Sequence, residues 1–177
     1  MFEFGTKQGT ESGNGYASRA DYCRIFEEDM HSLYLLCSML TANHVRAEQC
    51  YVESMGNVIK GNLVFKKWAR SWIKRNVIQS AIRMVFGEST QLQGRDAWHE
   101  SPLRCVIDPV TRLAPLMRFA FVMSVLERYP DHECSRLLNC AVPDIIDARS
   151  QALRTAFTLS GVAIARDKLC SACEQSQ

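Results

Sequence analysis

The chain has 177 residues, 47% of them hydrophobic, and its 21 Lys and Arg against 19 Asp and Glu leave a formal charge of +2 at pH 7. That apolar content is enough to bury a core and excludes wholesale disorder, while no run of about 18 apolar residues occurs to span a membrane. The opening MFEFGTKQGTESGNGYAS lacks an apolar stretch after a charged start, so no secretory leader is expected and the protein reads as cytoplasmic.

Residues 1–17 are rich in Gly, Ser, Thr and Asn and are expected to form a disordered tail. Helical periodicity then recurs with almost no strand signal, which predicts an all-α fold. The first helix is predicted over Arg19 to Leu40, with Ser18 as its N-cap and Phe26, Met30, Leu33, Cys37 and Leu40 as its apolar stripe. Thr41-Ala-Asn43-His44 breaks the chain. A second helix follows from Val45 to Ile59, with Ala47, Tyr51, Met55 and Val58 on one face, and Gly61 and Asn62 end it.

The third segment, FKKWARSWIKRNVIQSAIRM, spans Phe65 to Met84 and carries an unusual charge pattern. Between Glu53 and Glu88 there is no acidic residue, while Lys60, Lys66, Lys67, Arg70, Lys74, Arg75 and Arg83 accumulate +7. Such local asymmetry is the electrostatic footprint of a polyanion partner. Phe65, Trp68 and Trp72 align on one face and are expected in the core, with Lys66, Lys67, Arg70 and Lys74 on another arc. Beyond Arg75 the apolar stripe rotates through Val77, Ile78, Ala81, Ile82 and Val85, which implies either a bend near Arg75 or a helix buried nearly all round.

Residues 87–112 hold two Gly and two Pro with little periodicity and read as a linker. A core helix is predicted from Leu113 to Arg128, on Leu116, Phe119, Val122, Met123 and Leu126. A short helix from Asp131 to Leu138, a turn at Asn139-Cys140-Ala141 and a longer helix opened by Pro143 follow, with Ile145, Ala148, Ala152, Leu153 and Ala156 as its apolar stripe. This is the outline of a helix-turn-helix.

Reactive side chains make no catalytic pattern. His31, His44, His99 and His132 stand singly, with no Ser-His-Asp, Cys-His or metal spacing. The sequence therefore predicts no enzyme, no cofactor and no metal site. Six of the eight cysteines are scattered, several at positions a helix would bury as small hydrophobes. Cys170 and Cys173 form a CxxC, but zinc requires two more ligands and thioredoxin-type chemistry a βαβ context, so they read as part of a C-terminal tail over 160–177.

The order of parts resembles the small extracytoplasmic-function-type sigma factors of the sigma-70 family, from about Asp21 to Leu159. LCSMLTANHVRAEQCYVESM is similar to the family's core-polymerase-binding pattern in region two, although Gln49, Val52 and Met55 replace an Asp, a Gln and a Phe of that pattern. FKKWARSWIKR looks like the segment used for promoter melting and minus-ten recognition. FVMSVLERYPDHECSRLLNCAVPDIIDARSQAL is similar to region four, whose helix-turn-helix reads the minus-thirty-five element.

The resemblance implies two helical bundles, a region-two-like domain over 18–86 and a region-four-like domain over 113–159. It implies core RNA polymerase and promoter DNA as partners, an anti-sigma protein as a further one, and no membrane. Glu48, Gln49 and Glu53 would face the polymerase. DNA would meet Lys66, Lys67, Trp68, Arg70, Trp72, Lys74, Arg75 and Arg83 in the first domain, and Arg149, Ser150 and Arg154 in the second. Cations neutralise phosphates with counterion release, and aromatic faces accept unstacked bases at about 1–3 kcal/mol per base. The last helix departs from the family pattern, because Asp144 and Asp147 cancel Arg149 and Arg154 between Pro143 and Phe157. That leaves open an alternative: a sigma-like protein-interaction module without productive promoter recognition.

Overall fold

A computed structural model of the chain describes residues 15–61, 63–87 and 104–158, apart from 157. All the regular structure among them is helical, beyond one isolated antiparallel bridge between Tyr16 and Phe65. The all-α expectation holds.

Helix α1 spans Arg19–Glu28 and is started by a capping box: the Ser18 side chain accepts from the Asp21 backbone N–H at 3.2 Å, and the Asp21 carboxylate accepts from the Ser18 N–H at 2.9 Å. Tyr22, Ile25 and Phe26 are its buried face. The single helix expected to Leu40 is broken, and α2 (Met30–Thr41) begins after Asp29. Adjacent side chains on an unbroken helix point about 100° apart. Here Glu28 and Asp29 both reach the guanidinium of Arg70, which the break at Asp29 accommodates.

Helix α2 is the centre of the fold. Every residue from Leu36 to Thr41 is buried, and its hydroxyls are satisfied locally: Ser38 donates to the Tyr34 carbonyl at 2.8 Å and Thr41 to that of Cys37 at 2.9 Å. It ends with Ala42 in the left-handed region at φ 53°. Helix α3 (His44–Lys60) is capped by Asn43, whose side chain accepts from the Arg46 N–H at 2.9 Å. Its fully buried residues are Ala47, Cys50, Ser54 and Val58, whereas Tyr51 and Met55 are only partly buried against the core. The stripe sits about one position N-terminal of the expected one. Ser54 tolerates burial by donating to the Cys50 carbonyl at 2.6 Å.

A 3-10 turn over Lys66–Trp68 leads into α4 (Ala69–Phe86), which runs unbroken past Arg75. Ala69, Ile73, Val77, Ile78, Ser80 and Ala81 form its buried side. The helix starts only after Trp68, so Phe65 and Trp68 do not continue its stripe and are exposed. That corrects the expectation of a common buried face; Trp72 alone of the three packs against the core. Residues 15–17, expected within the tail, are tied down instead. The Ala17 N–H donates to the Val64 carbonyl at 2.7 Å and the Lys66 N–H to that of Gly15 at 2.8 Å.

Part of the segment expected as linker is helical: α5 spans Arg104–Thr111. Helix α6 (Pro115–Phe121) starts with Pro at its first turn and passes into a π-helical turn over Val122–Leu126, in place of one helix from Leu113 to Arg128. Arg128 then adopts φ 58°, a left-handed conformation costing an L-residue about 1–2 kcal/mol. Helix α7 (Asp131–Leu138) ends at left-handed Asn139, and α8 occupies residues 142–156. The helix-turn-helix outline is as expected. The two segments meet in one continuous buried cluster, to which α2 contributes Leu33, Leu36 and Leu40, the α6–π stretch Phe119, Val122 and Met123, and the last two helices Cys134, Ile145 and Ala148.

One polar residue organises that junction. Arg118 is buried, with no carboxylate partner among the described residues, and its guanidinium donates to the carbonyls of Leu40 at 3.0 Å, Leu113 at 3.1 Å and Thr111 at 3.4 Å. Burial lowers its pKa to about 10, so it is still a cation at neutral pH. Replacing Arg118 by Leu should cost about 3–4 kcal/mol, since it strands buried carbonyls at two helix ends. Lys should rescue only part of that loss, because it lacks the planar fork. Urea unfolding checks both through the midpoint, with the slope against urea unchanged.

Candidate nucleic-acid interface

The acid-free stretch is not charge-naked once folded. Lys66 pairs with Asp21 at 3.3 Å, Arg70 with Glu28 and Asp29, Lys74 with Glu127 at 2.7 Å, Arg75 with Glu133, and Arg83 with Glu53 at 2.8 Å. Five of the seven cations therefore meet carboxylates carried in from α1 and its C-cap, α3, the segment before α7 and α7 itself. Hydrogen bonding to Asp29 and then Glu28 raises the Arg70 pKa. Among the described residues, Lys60 and Lys67 have no carboxylate within ion-pair distance. Lys67 instead lies 4.5 Å from the centroid of the Trp68 ring, a cation–π contact.

The aromatics form a surface stack. Tyr16 and Phe65 are stacked with centroids 4.5 Å apart, and Trp68 meets Phe65 edge-on at 5.5 Å. Trp68 is 54% exposed, enough to offer a ring face. Trp72 is half-buried, and its indole Nε1 is buried without a hydrogen-bond partner among the described residues. Both tryptophans line a cleft of about 550 Å³ between the start of α4 and the turn before α7, together with Lys74, Arg75, Arg128 and Tyr129. Burial, reinforced by Glu133 and Glu127, raises the Tyr129 phenol to about 12, so it remains a neutral hydroxyl.

The second predicted DNA-facing group is divided. Arg149 pairs with Asp131 across the α7–α8 corner, and the Ser150 hydroxyl donates to the Ile146 carbonyl at 2.8 Å. Arg154 is exposed. Asp144 accepts from the Ala141 N–H at 3.0 Å, so one of the two acids in this helix serves as its cap.

On α3, Val45 and Val52 are 52% and 68% exposed, flanked by exposed Glu48 and Gln49. Glu53 is turned away to Arg83, so the three residues expected to face the polymerase divide into an outward pair and an internally engaged one. Two features escaped sequence reasoning. Arg118 was the lone charge within a core run, and Arg128 followed an acid at the end of a stretch that looked helical. The buried cysteines were legible: Cys37, Cys50 and Cys134 are core residues, and a hydrogen bond with Cys50 and burial push the Cys37 thiol upward. Among the described residues, no group of three or more His, Cys, Asp or Glu is placed to hold a metal ion, and no helix is long and apolar enough to cross a membrane.

No protein-family model matches the chain, and no curated protein matches it.

The Asp21 cluster generates a pH prediction. The Ser18 backbone N–H, then its hydroxyl, and Lys66 hold the Asp21 carboxyl at about 2, below its ordinary 3.8. A depressed carboxylate stabilises the fold above the unfolded-state value and loses that contribution as pH falls through the folded value. Stability should therefore decline between about pH 4 and pH 2 as this cap protonates. Asp21→Asn should be less stable at pH 7 and show a flatter acid limb in thermal unfolding followed by circular dichroism.

Proposed function

We propose that the chain is a sigma-factor-like transcription initiation protein that binds core RNA polymerase and directs it to promoter DNA. The observation that carries the reading is the α7–turn–α8 corner, a short helix, a three-residue turn and a longer helix whose outward side includes Ile146, Asp147, Gln151 and Arg154. It follows in chain order a helix lined with cations and an exposed tryptophan. In this reading Trp68 is the base-stacking platform and Lys67 the cation already available to phosphate. Val45, Glu48, Gln49 and Val52 form the polymerase-facing strip on α3. In this reading residues 18–86 correspond to a region-two-like unit and 113–159 to a region-four-like unit, packed on one shared core.

A second reading has its own support. With five of the seven cations of the acid-free stretch paired and Arg149 held by Asp131, little of that positive charge is left unpaired. That favours a sigma-like interaction module that engages protein but not promoters.

Copurification separates both readings from a role outside transcription. A tagged chain should retain core RNA polymerase, and Glu48→Lys with Gln49→Lys should abolish retention while helical content is unchanged. Retention by that variant moves the contact off α3. Promoter binding across a salt series separates the two readings from each other. Each phosphate contact contributes about 0.9 to the slope of log affinity against log salt. Lys67→Ala should lower the slope by about one such contact, whereas joint replacement of Lys66, Lys67, Arg70 and Lys74 by Ala should lower it by up to about four. An unchanged slope in the quadruple variant leaves the interaction module as the surviving reading.

A further inference from the structure

The pairing of α4 with the C-terminal corner has a mechanical side. Between α6 and α7 the backbone carries a π-helical turn over Val122–Leu126, a left-handed Arg128, and Pro130 as the residue before α7. Irregular backbone of this kind is where a fold stores strain and where hinges form. Immediately flanking it, Glu127 reaches back to Lys74 at 2.7 Å, and Glu133, on the first turn of α7, reaches Arg75. Both acids are largely shielded, with side chains 18% and 22% exposed. The two bridges therefore fasten consecutive cations of α4 to the two sides of one strained segment. The cleft lined by Trp68, Trp72 and Tyr129 lies in the same place.

We propose that Lys74–Glu127 and Arg75–Glu133 form a clasp that holds residues 127–130 down on α4, and that this segment lifts when a polyanion displaces the two carboxylates, while Cys134, Ile145 and Ala148 keep α7 and α8 in the core. In the clasped state Lys74 and Arg75 are engaged by carboxylates and Trp72 is half-buried. Release uncovers two cations and one aromatic face together, the combination that a single-stranded nucleic acid engages through phosphates and base stacking. The clasp itself follows from the geometry alone. Identifying the displacing polyanion as nucleic acid rests on the proposed function.

The test uses the full chain with Trp68→Phe and Trp98→Phe, so that Trp72 is the reporter, and measures acrylamide quenching of its fluorescence from low to high salt. Glu127→Gln with Glu133→Gln removes the clasp charges. Losing two half-shielded ion pairs should raise the open population roughly tenfold and increase quenching at low salt to the level that the parent reaches only at high salt. The full charge swap, Lys74→Glu and Arg75→Glu combined with Glu127→Lys and Glu133→Lys, should restore protected Trp72, which a merely destabilised fold would not do. Quenching that is the same in all three proteins overturns the clasp, as does a swap variant that stays open.

A labelled single-stranded oligodeoxynucleotide followed by anisotropy gives the second arm, in the background that keeps Trp68. The Gln variants should bind it roughly tenfold more tightly than the parent. Opening without any gain in affinity supports the clasp and overturns nucleic acid as its displacer, so the two failures are distinguishable.

Discussion

The fold depends on a cation buried without an acid. Arg118 brings its guanidinium to the last carbonyls of two helices at once, Leu40 near the end of α2 and Thr111 and Leu113 at the end of α5. Helix C-termini present unsatisfied carbonyls and a partial negative charge. Two such ends converging in an apolar interior would each strand polar groups at a cost of about 1–3 kcal/mol apiece. A planar guanidinium can serve several acceptors in divergent directions from one buried stem, which an ammonium on a flexible chain does less well. The same contact explains how α2 can be apolar on nearly all sides. Helices α3, α4, α5 and α6 all pack on it, with Arg118 at its C-terminal end.

Electrostatics then distributes the remaining charge by tertiary rather than local pairing. The stretch from Ser54 to Gly87 contains no acid of its own, yet its cations are met by Asp21, Glu28, Asp29, Glu53, Glu127 and Glu133. A segment that is strongly positive in sequence is thereby nearly balanced in space. Exposed pairs of this sort contribute only about 0–1 kcal/mol each, so their main effect is on the field that the protein presents. Outward positive potential is reduced where sequence alone predicts it to be greatest, and among the described residues Lys60 and Lys67, the latter over Trp68, are the cations of the stretch left to define it.

Much of the architecture was legible because helical periodicity and cap residues act locally. Ser18, Asn43 and Gly61 mark helix ends where the structure has them, and the corner of α7 and α8 follows from Asn139 and Pro143. Two kinds of feature were not legible. Interruptions set by partners distant in the chain were missed: the break at Asp29 coincides with its pairing to Arg70, and the π-helical turn replaces a helix whose apolar spacing looked uninterrupted. Helix α5 was hidden because Pro102 and Pro109 were read as breakers. The candidate site divided in the same way. Residue types and order were visible, but a sequence cannot show that Glu53 faces Arg83 rather than a partner, or that Trp68 precedes its helix and so escapes the core stripe.

The two surfaces used in the proposed function differ in what controls them. On α3, Val45, Glu48, Gln49 and Val52 lie outward and are not part of the bridges to the C-terminal corner, so the proposed protein partner would meet them without rearranging the fold. On α4, Lys74 and Arg75 are already engaged, and any polyanion must compete with Glu127 and Glu133 for them. Competition of like for like makes the second surface weak and strongly salt-dependent by itself. Local concentration changes that balance: a chain first held through α3 beside nucleic acid would meet phosphate at a high effective concentration, and the exchange of carboxylate for phosphate would then become intramolecular. On this reading the protein-facing strip acts first and the nucleic-acid-facing cations second, an order imposed by which charges the fold leaves unpaired.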